Sequence, residues 1–116
     1  MDLIENATTP AGGIGVTSEH GRTVVRLSGE VDAALRTEAS LSMAEALAST
    51  APIVVDTEQV TFIDSSGLAF ILQLHLAATE TGQPLTLRDP HREVLSKLEM
   101  LGMAGELDVE PAPAVA

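Results

Sequence analysis

The sequence predicts an α/β domain, a mixed sheet with helices laid on it, and three stretches carry that prediction. A hairpin of two extended segments comes first, with Thr23, Val25 and Leu27 alternating against Val24, Arg26 and Ser28. Next, the apolar run Ile53-Val54-Val55 leads through a second extended piece into a long stretch of helix formers, Leu68 to Thr79. The unit then repeats: Pro84-Leu85-Thr86-Leu87-Arg88 reads as a strand and Asp89-Pro90 as the start of another helix. Strand–helix alternation after a hairpin is the pattern of a mixed sheet.

Composition sets the frame. A chain of 116 residues makes one domain with one modest core. Only two aromatics are present, both Phe, so Leu, Val, Ile, Ala and Met must fill that core. A formal charge of −11 argues against direct contact with nucleic acid, which needs Lys and Arg on the phosphates, and against anionic membrane surfaces. The absence of cysteine excludes disulfides and thiolate chemistry and suits a reducing cytoplasm. No stretch reads as a signal peptide or as a segment long enough to cross a bilayer, so the expectation is a cytoplasmic domain without membrane insertion.

Residues 1–13 hold no sustained period and end in turn formers, so they read as a flexible tail. Ile14 to Ser18 is a weaker strand, joined to the Thr23 strand by a tight turn at His20-Gly21. Gly29-Glu30-Val31-Asp32 closes the second strand, and Asp32 is placed to cap a helix from Ala33 to Ser49, with Leu35, Ala39, Met43, Ala46 and Leu47 as its apolar stripe.

The run Ile53–Val55 ends at Asp56, a polar turn follows at Thr57-Glu58-Gln59, and Val60 to Ile63 is extended again. Asp64-Ser65-Ser66-Gly67 then opens a helix reaching Thr81, apolar over most of its circumference, which fits either burial between elements or docking on a partner. The local reading of Asp64-Ser65-Ser66-Gly67 is a helix cap; the functional one is a pair of hydroxyls held at a helix N-terminus that favours an anionic group. His75 in this helix has no metal-ligand spacing around it and reads as a surface or boundary residue. Gly82 ends the helix, and a last helix from Pro90 to about Leu101 buries Val94, Leu95, Leu98 and Leu101, exposes His91, Arg92 and Lys97, and stops at Gly102. Glu106 to Val109 reads as an edge strand, and 110–116 as a Pro/Ala-rich tail.

The stretch Val60-Thr61-Phe62-Ile63-Asp64-Ser65-Ser66-Gly67-Leu68 strongly resembles the signature of STAS-domain anti-sigma factor antagonists (anti-anti-sigma factors). A second block, Gly29-Glu30-Val31-Asp32, resembles the family's Gly-Glu-apolar-Asp, and a third, strand then Leu-rich helix then Gly, carries the likeness through Gly105. The resemblance implies a STAS fold over 14–109, with four or five strands and helices mainly on one side. It implies that Ser65, directly after the aspartate, is the phosphorylated serine, while Ser66, one step into the helix, serves the backbone. Asp64, Ser66, Gly67, Leu68, Glu30 and Asp32 then form the site's rim or contact the partner. The implied partners are an anti-sigma factor with serine kinase activity and a serine phosphatase; no cofactor or metal is implied. Two departures stand out: Leu35 where the family often has a small hydroxyl residue, and a Pro/Ala-rich end where it usually has a helix, so that apolar surface is left uncovered.

Enzyme readings fail on the residues. Around Ser65 the nucleophile elbow Gly-x-Ser-x-Gly has its second glycine in Gly67, but Ile63 stands in place of the first. No Gly-rich phosphate loop with Lys is present. Besides the phospho-switch, two other readings remain: an adaptor STAS subunit of a lipid-transport ABC complex, and a scaffold in a stress-signalling assembly. An intact Asp64-Ser65-Ser66 favours the switch.

Overall fold

A computed structural model describes residues 12–111. Five strands form one sheet in the order in which they occur: β1 (Gly13–Glu19), β2 (Arg22–Val31), β3 (Ile53–Ile63), β4 (Leu85–Arg88) and β5 (Asp108–Val109). Three α-helices connect them: α1 (Arg36–Ala48), entered through a 3-10 turn at Ala33–Leu35, α2 (Ser65–Thr81) and α3 (Glu93–Met100), which leaves through a second 3-10 turn at Ala104–Glu106. The β1–β2 pair is antiparallel and every later pair is parallel. The predicted mixed sheet is therefore the observed one. Parallel crossovers are right-handed, and a strand order that only advances sends every helix to the same face. One core follows, in which Val25, Leu27, Ile53, Val55, Leu85 and Leu87 of the sheet meet Ala46, Leu68, Ile71, Leu74, Val94 and Leu98 of the helices.

The β1–β2 turn is the expected His20-Gly21, with φ of 53° and 78°, the left-handed pair that matches the twist of a two-residue hairpin. Asp32 caps the 3-10 turn by accepting from the Ala34 amide at 2.9 Å. Gly82, at φ 75°, closes α2 by donating to the carbonyls of Ala78 and Thr79.

The structure corrects the sequence reading in several places. The block Gly29–Asp32 does close β2, which ends at Val31, but Gly29, at φ 65°, is not itself a terminus: it sits at a register shift within the strand. Nor is Thr57-Glu58-Gln59 a turn. β3 runs unbroken from Ile53 to Ile63, and the polar triad is the bulge that forms where Arg26 pairs with Asp56 while Ser28 pairs with Gln59. The α3 helix begins at Glu93 rather than Pro90. Asp89 still caps it from a distance, accepting from the amides of Val94 at 3.1 Å and Leu95 at 2.7 Å, while Thr57 Oγ1 donates to the same carboxylate at 2.6 Å. Leu101, expected in the core, is exposed with Met100 beside it. At the ends, Gly13 belongs to β1, so the sheet reaches into the segment expected as the N-terminal tail, while Glu110, just past the end of β5, pairs with Arg88; residues 1–11 and 112–116 of the expected tails lie outside the described residues.

The face of the sheet away from the core carries a row of charges. Asp56 Oδ2 accepts from Arg26 Nε at 3.3 Å and Arg88 Nη1 at 3.4 Å, and Asp56 Oδ1 accepts from the Glu58 amide at 2.9 Å. Glu19 flanks Arg26 at 3.1 Å and Glu110 flanks Arg88 at 3.2 Å. The hydrogen bond to Glu19, helped by the one to Asp56, outweighs burial and holds the Arg26 pKa above its ordinary value. At Arg88 burial acts to lower the pKa, and Glu110 with Asp56 outweighs it. Register explains the row: Arg26, Asp56 and Arg88 are cross-strand partners on three adjacent strands. On this face Val24 and Val54 are fully buried; long arginine stems are suited to covering apolar side chains.

At the other end of β3, Gly67 lets α2 approach the sheet. A Cβ there would lie 2.5 Å from Ile63 Cγ1 and 2.9 Å from Val31 Cγ1. Two expected outcomes follow from the fold. Asp56→Ala leaves two cations without their shared carboxylate, whose side chain is 4% exposed; because both arginines keep some solvent, the loss should be about 2–3 kcal/mol by urea denaturation. A loss under about 0.5 kcal/mol would mean the row is ornamental. Gly67→Ala should cost about 1–3 kcal/mol through overpacking, with thermal denaturation as the measure, and an unchanged melting temperature would contradict the close approach.

Candidate functional site

The site forms where β2 and β3 end together. Val31 and Ile63 are register partners, so Asp32 and Asp64 follow side by side at the C-terminal ends of two parallel strands, where ligands meet α/β sheets. The Asp64 amide donates to the Val31 carbonyl at 3.2 Å and binds the two ends together. Each aspartate then caps the helical turn that follows. Asp64 Oδ1 accepts from the amides of Ser66 at 2.9 Å and Gly67 at 3.2 Å, and its carbonyl accepts from the Leu68 amide at 3.0 Å.

Ser65 is the first residue of α2 and is exposed, as is Ser66. The capping bonds are Asp64's, and among the described residues the Ser66 hydroxyl makes no hydrogen bond to the backbone, contrary to expectation. Gly67 and Leu68, expected at the rim, are both buried. They form the floor that holds the serines in place: Gly67 against Ile63 and Val31, Leu68 within the core. Glu30 is exposed at the end of β2, opposite Phe62 across the strands.

One groove opens beside the serines, between the 3-10 turn with α1 on one side and α2 on the other, with a volume of about 330 Å³. Asp32 and Ser66 line it; Ser65, Asp64 and Glu30 do not. The predicted residues therefore divide into a capped, exposed serine and a groove wall one residue further on. Sequence reasoning missed Phe62, a 48% exposed aromatic three residues before Ser65. It also missed the groove's far wall, Arg36, Ala39 and Ser40. A signal for that wall existed, since 36, 39, 40 and 43 in α1 and 66, 69, 70 and 73 in α2 share the i, i+3, i+4, i+7 spacing of one helix face.

His75 is half-buried, and its Nδ1 has no hydrogen-bond partner among the described residues. Also among the described residues, no group of three His, Cys, Asp or Glu could hold a metal ion, and no helix is long and apolar enough to cross a membrane.

Comparison with known proteins agrees with this geometry. The family model described as "Mlab, STAS domain" matches residues 14–110. No curated protein matches the chain. Among solved structures, an anti-sigma factor antagonist from Mycobacterium paratuberculosis superimposes with a TM-score of 0.69 at 21% identity, covering 88% of this chain and 87% of its own. The anti-sigma factor antagonist SpoIIAA in its unphosphorylated form gives 0.65 at 22% identity, over 89% of this chain and 90% of its own. A STAS-domain protein from Planctomyces limnophilus gives 0.70 at 17% identity, over 87% and 92%. At such identities the likeness is one of fold. With the family match spanning nearly the whole sheet and all three helices, the chain belongs to the STAS-domain family.

Proposed function

We propose that the chain is an anti-sigma factor antagonist working as a phospho-switch. Unphosphorylated, it binds an anti-sigma factor that is also a serine kinase and so frees the sigma factor; phosphorylation of Ser65 by that kinase ends the binding, and a serine phosphatase restores it. The observation that carries this reading is Ser65 itself, an exposed hydroxyl at the first position of α2, fixed by the Asp64 cap and standing beside an open groove. In this reading the protein acts by binding, in the cytoplasm, and catalyses nothing.

The geometry also says how a phosphoryl group would act. A free helix N-terminus would welcome one, and the sequence suggests that welcome. Here, however, Asp64 already holds the amides of Ser66 and Gly67, so a phosphoryl group on Ser65 finds those donors taken. It brings roughly −1.5 to −2 charges next to Asp64, with Asp32 at the neighbouring strand end. The group therefore stays in water, and a partner covering the site would have to strip it of that water beside like charge. A penalty of about 3–4 kcal/mol weakens binding several hundredfold, enough for a switch.

A second reading has one observation in its favour, the description of the matching family as Mlab. Under it the domain is an adaptor docked on the ATPase of a lipid-transport complex, and Ser65 needs no modification. Co-purification separates the two readings, through a small ATP-dependent kinase in one case and a transporter ATPase in the other.

Incubation with the cognate kinase and ATP should place one phosphate on Ser65; finding it on Ser66 or Thr61 would sink the assignment. Ser65→Ala should hold the anti-sigma factor whether or not ATP is present. Ser65→Asp should fold with a near-normal melting temperature yet bind at least about a hundredfold more weakly by calorimetry. Equal affinity of Ser65→Asp and the natural sequence would refute the switch.

A further inference from the structure

We infer that Arg36 is the counter-ion for a phosphoryl group on Ser65, reaching across the mouth of the α1–α2 groove to donate to the phosphoryl oxygens and so tying the two helix starts together. This role rests on the modification of Ser65 proposed above and adds what receives the group. Register sets the two residues facing. β2 and β3 are adjacent parallel strands whose last residues, Val31 and Ile63, are partners, and each runs through a capping aspartate into a helical turn. Arg36 is the first residue of α1 and Ser65 the first of α2, so both stand at the same end of the groove. Arg36 lines it from one side, Ser66 and Ala69 from the other. Ser65 precedes Ala69 by four residues and is therefore its neighbour on the surface of α2.

A phosphoryl group on Ser65 needs donors that the nearest amides do not supply, because Asp64 holds those of Ser66 and Gly67. Among the described residues lining the groove, Arg36 is the only cation. It is exposed and, again among the described residues, enters no ion pair, whereas Arg26, Arg88 and Arg92 are each held by acids. Its helix neighbours at i+3 and i+4, Ala39 and Ser40, are small and uncharged, which leaves its stem free to turn over the groove. Asp32 is no competitor of equal strength: its Oδ1 already accepts from the Ala34 amide. The guanidinium fork, by contrast, matches phosphoryl oxygens with two parallel charge-assisted bonds. Around the group, then, Asp64 and Asp32 at the strand ends and Glu30 before them repel, and Arg36 alone attracts. The phosphoryl group stays at the surface in water, but tied to α1, and the open mouth beside Ser65 is lost.

Phosphoserine inserted at position 65 during synthesis of the full chain supplies the modified protein without any kinase. Its phosphorus resonance is followed through a pH titration. Arg36 favours the doubly charged phosphate, so Arg36→Ala should make the group hold its second proton about threefold more tightly. Arg36→Lys keeps the charge and loses the fork, and it should fall between the two. Arg92→Ala removes an equal charge from α3, at an exposed arginine bound to Glu99, and should leave the titration where it was. The Arg36 side-chain Nε–H resonance should move when phosphoserine replaces serine and return when a phosphatase removes the group. Equal titrations of Arg36→Ala and Arg92→Ala would overturn the inference, and so would an Arg36 Nε–H resonance indifferent to the phosphoryl group. Failure of the switch shows elsewhere: a cognate kinase that leaves Ser65 unmodified would remove that reading, while a responding Arg36 would still establish the contact.

Discussion

The close approach of α2 to the ends of β2 and β3 is the constraint on which the remainder depends. No side chain larger than hydrogen fits at position 67 without pushing on Ile63 and Val31. That contact fixes the depth of the helix start, and with it the height at which Ser65 and Ser66 emerge. The Asp64 cap fixes the direction, since its carboxylate holds two amides of the first turn and its own amide holds Val31. Packing and capping thus act on the same four residues, and an exposed hydroxyl is presented by a rigid base rather than by a loop. Such rigidity suits a site whose state is read by another protein.

The far half of β3 is governed by different forces. There Asp56 and Thr57 are buried polar residues whose partners come from elsewhere in the chain: Arg26 and Arg88 of the neighbouring strands for the carboxylate, Asp89 just past β4 for the hydroxyl. Buried polar groups persist when their partners are complete, and here each partner also ties β3 to a neighbouring element. The single strand therefore carries a satisfied polar cluster at its middle and the junction with Ser65 at its end, separated by a bulge. With the second register shift at Gly29, it lets the eleven residues of β3 pair with nine of β2 while keeping Ile63 in the core.

Much of this architecture is legible in the sequence because the local signals are strong. Alternation in β2, the Asp32 and Asp64 caps, the Gly82 stop and the Asp-Ser-Ser-Gly junction each follow from residue chemistry within a few positions. What escapes the sequence is long-range. Thr57-Glu58-Gln59 looks like a turn because nothing nearby tells that Asp56 will meet two arginines from other strands. Pro90 looks like a helix start because local rules cannot see Thr57 holding Asp89, whose carboxylate reaches forward to Val94 and Leu95. Leu101 looks like core because helical spacing runs on past the point where α3 ends. At the site, Ser65 and its cap are legible, whereas the groove is not, since its walls lie some thirty residues apart and meet only after folding.

The strand order has a further consequence for how the chain reaches its native state. Every strand lies beside the one made just before it, so no pairing waits for a distant segment to arrive. Loop closures stay short, and their entropy is correspondingly small. During synthesis the hairpin can form first, and each new strand–helix unit can add to a template already in place. The junction that presents Ser65 lies in the middle of this sequence of additions. Its flanking strands can pair before β4 is complete, so the end of the domain that carries Ser65 can assemble while the C-terminal third is still being translated.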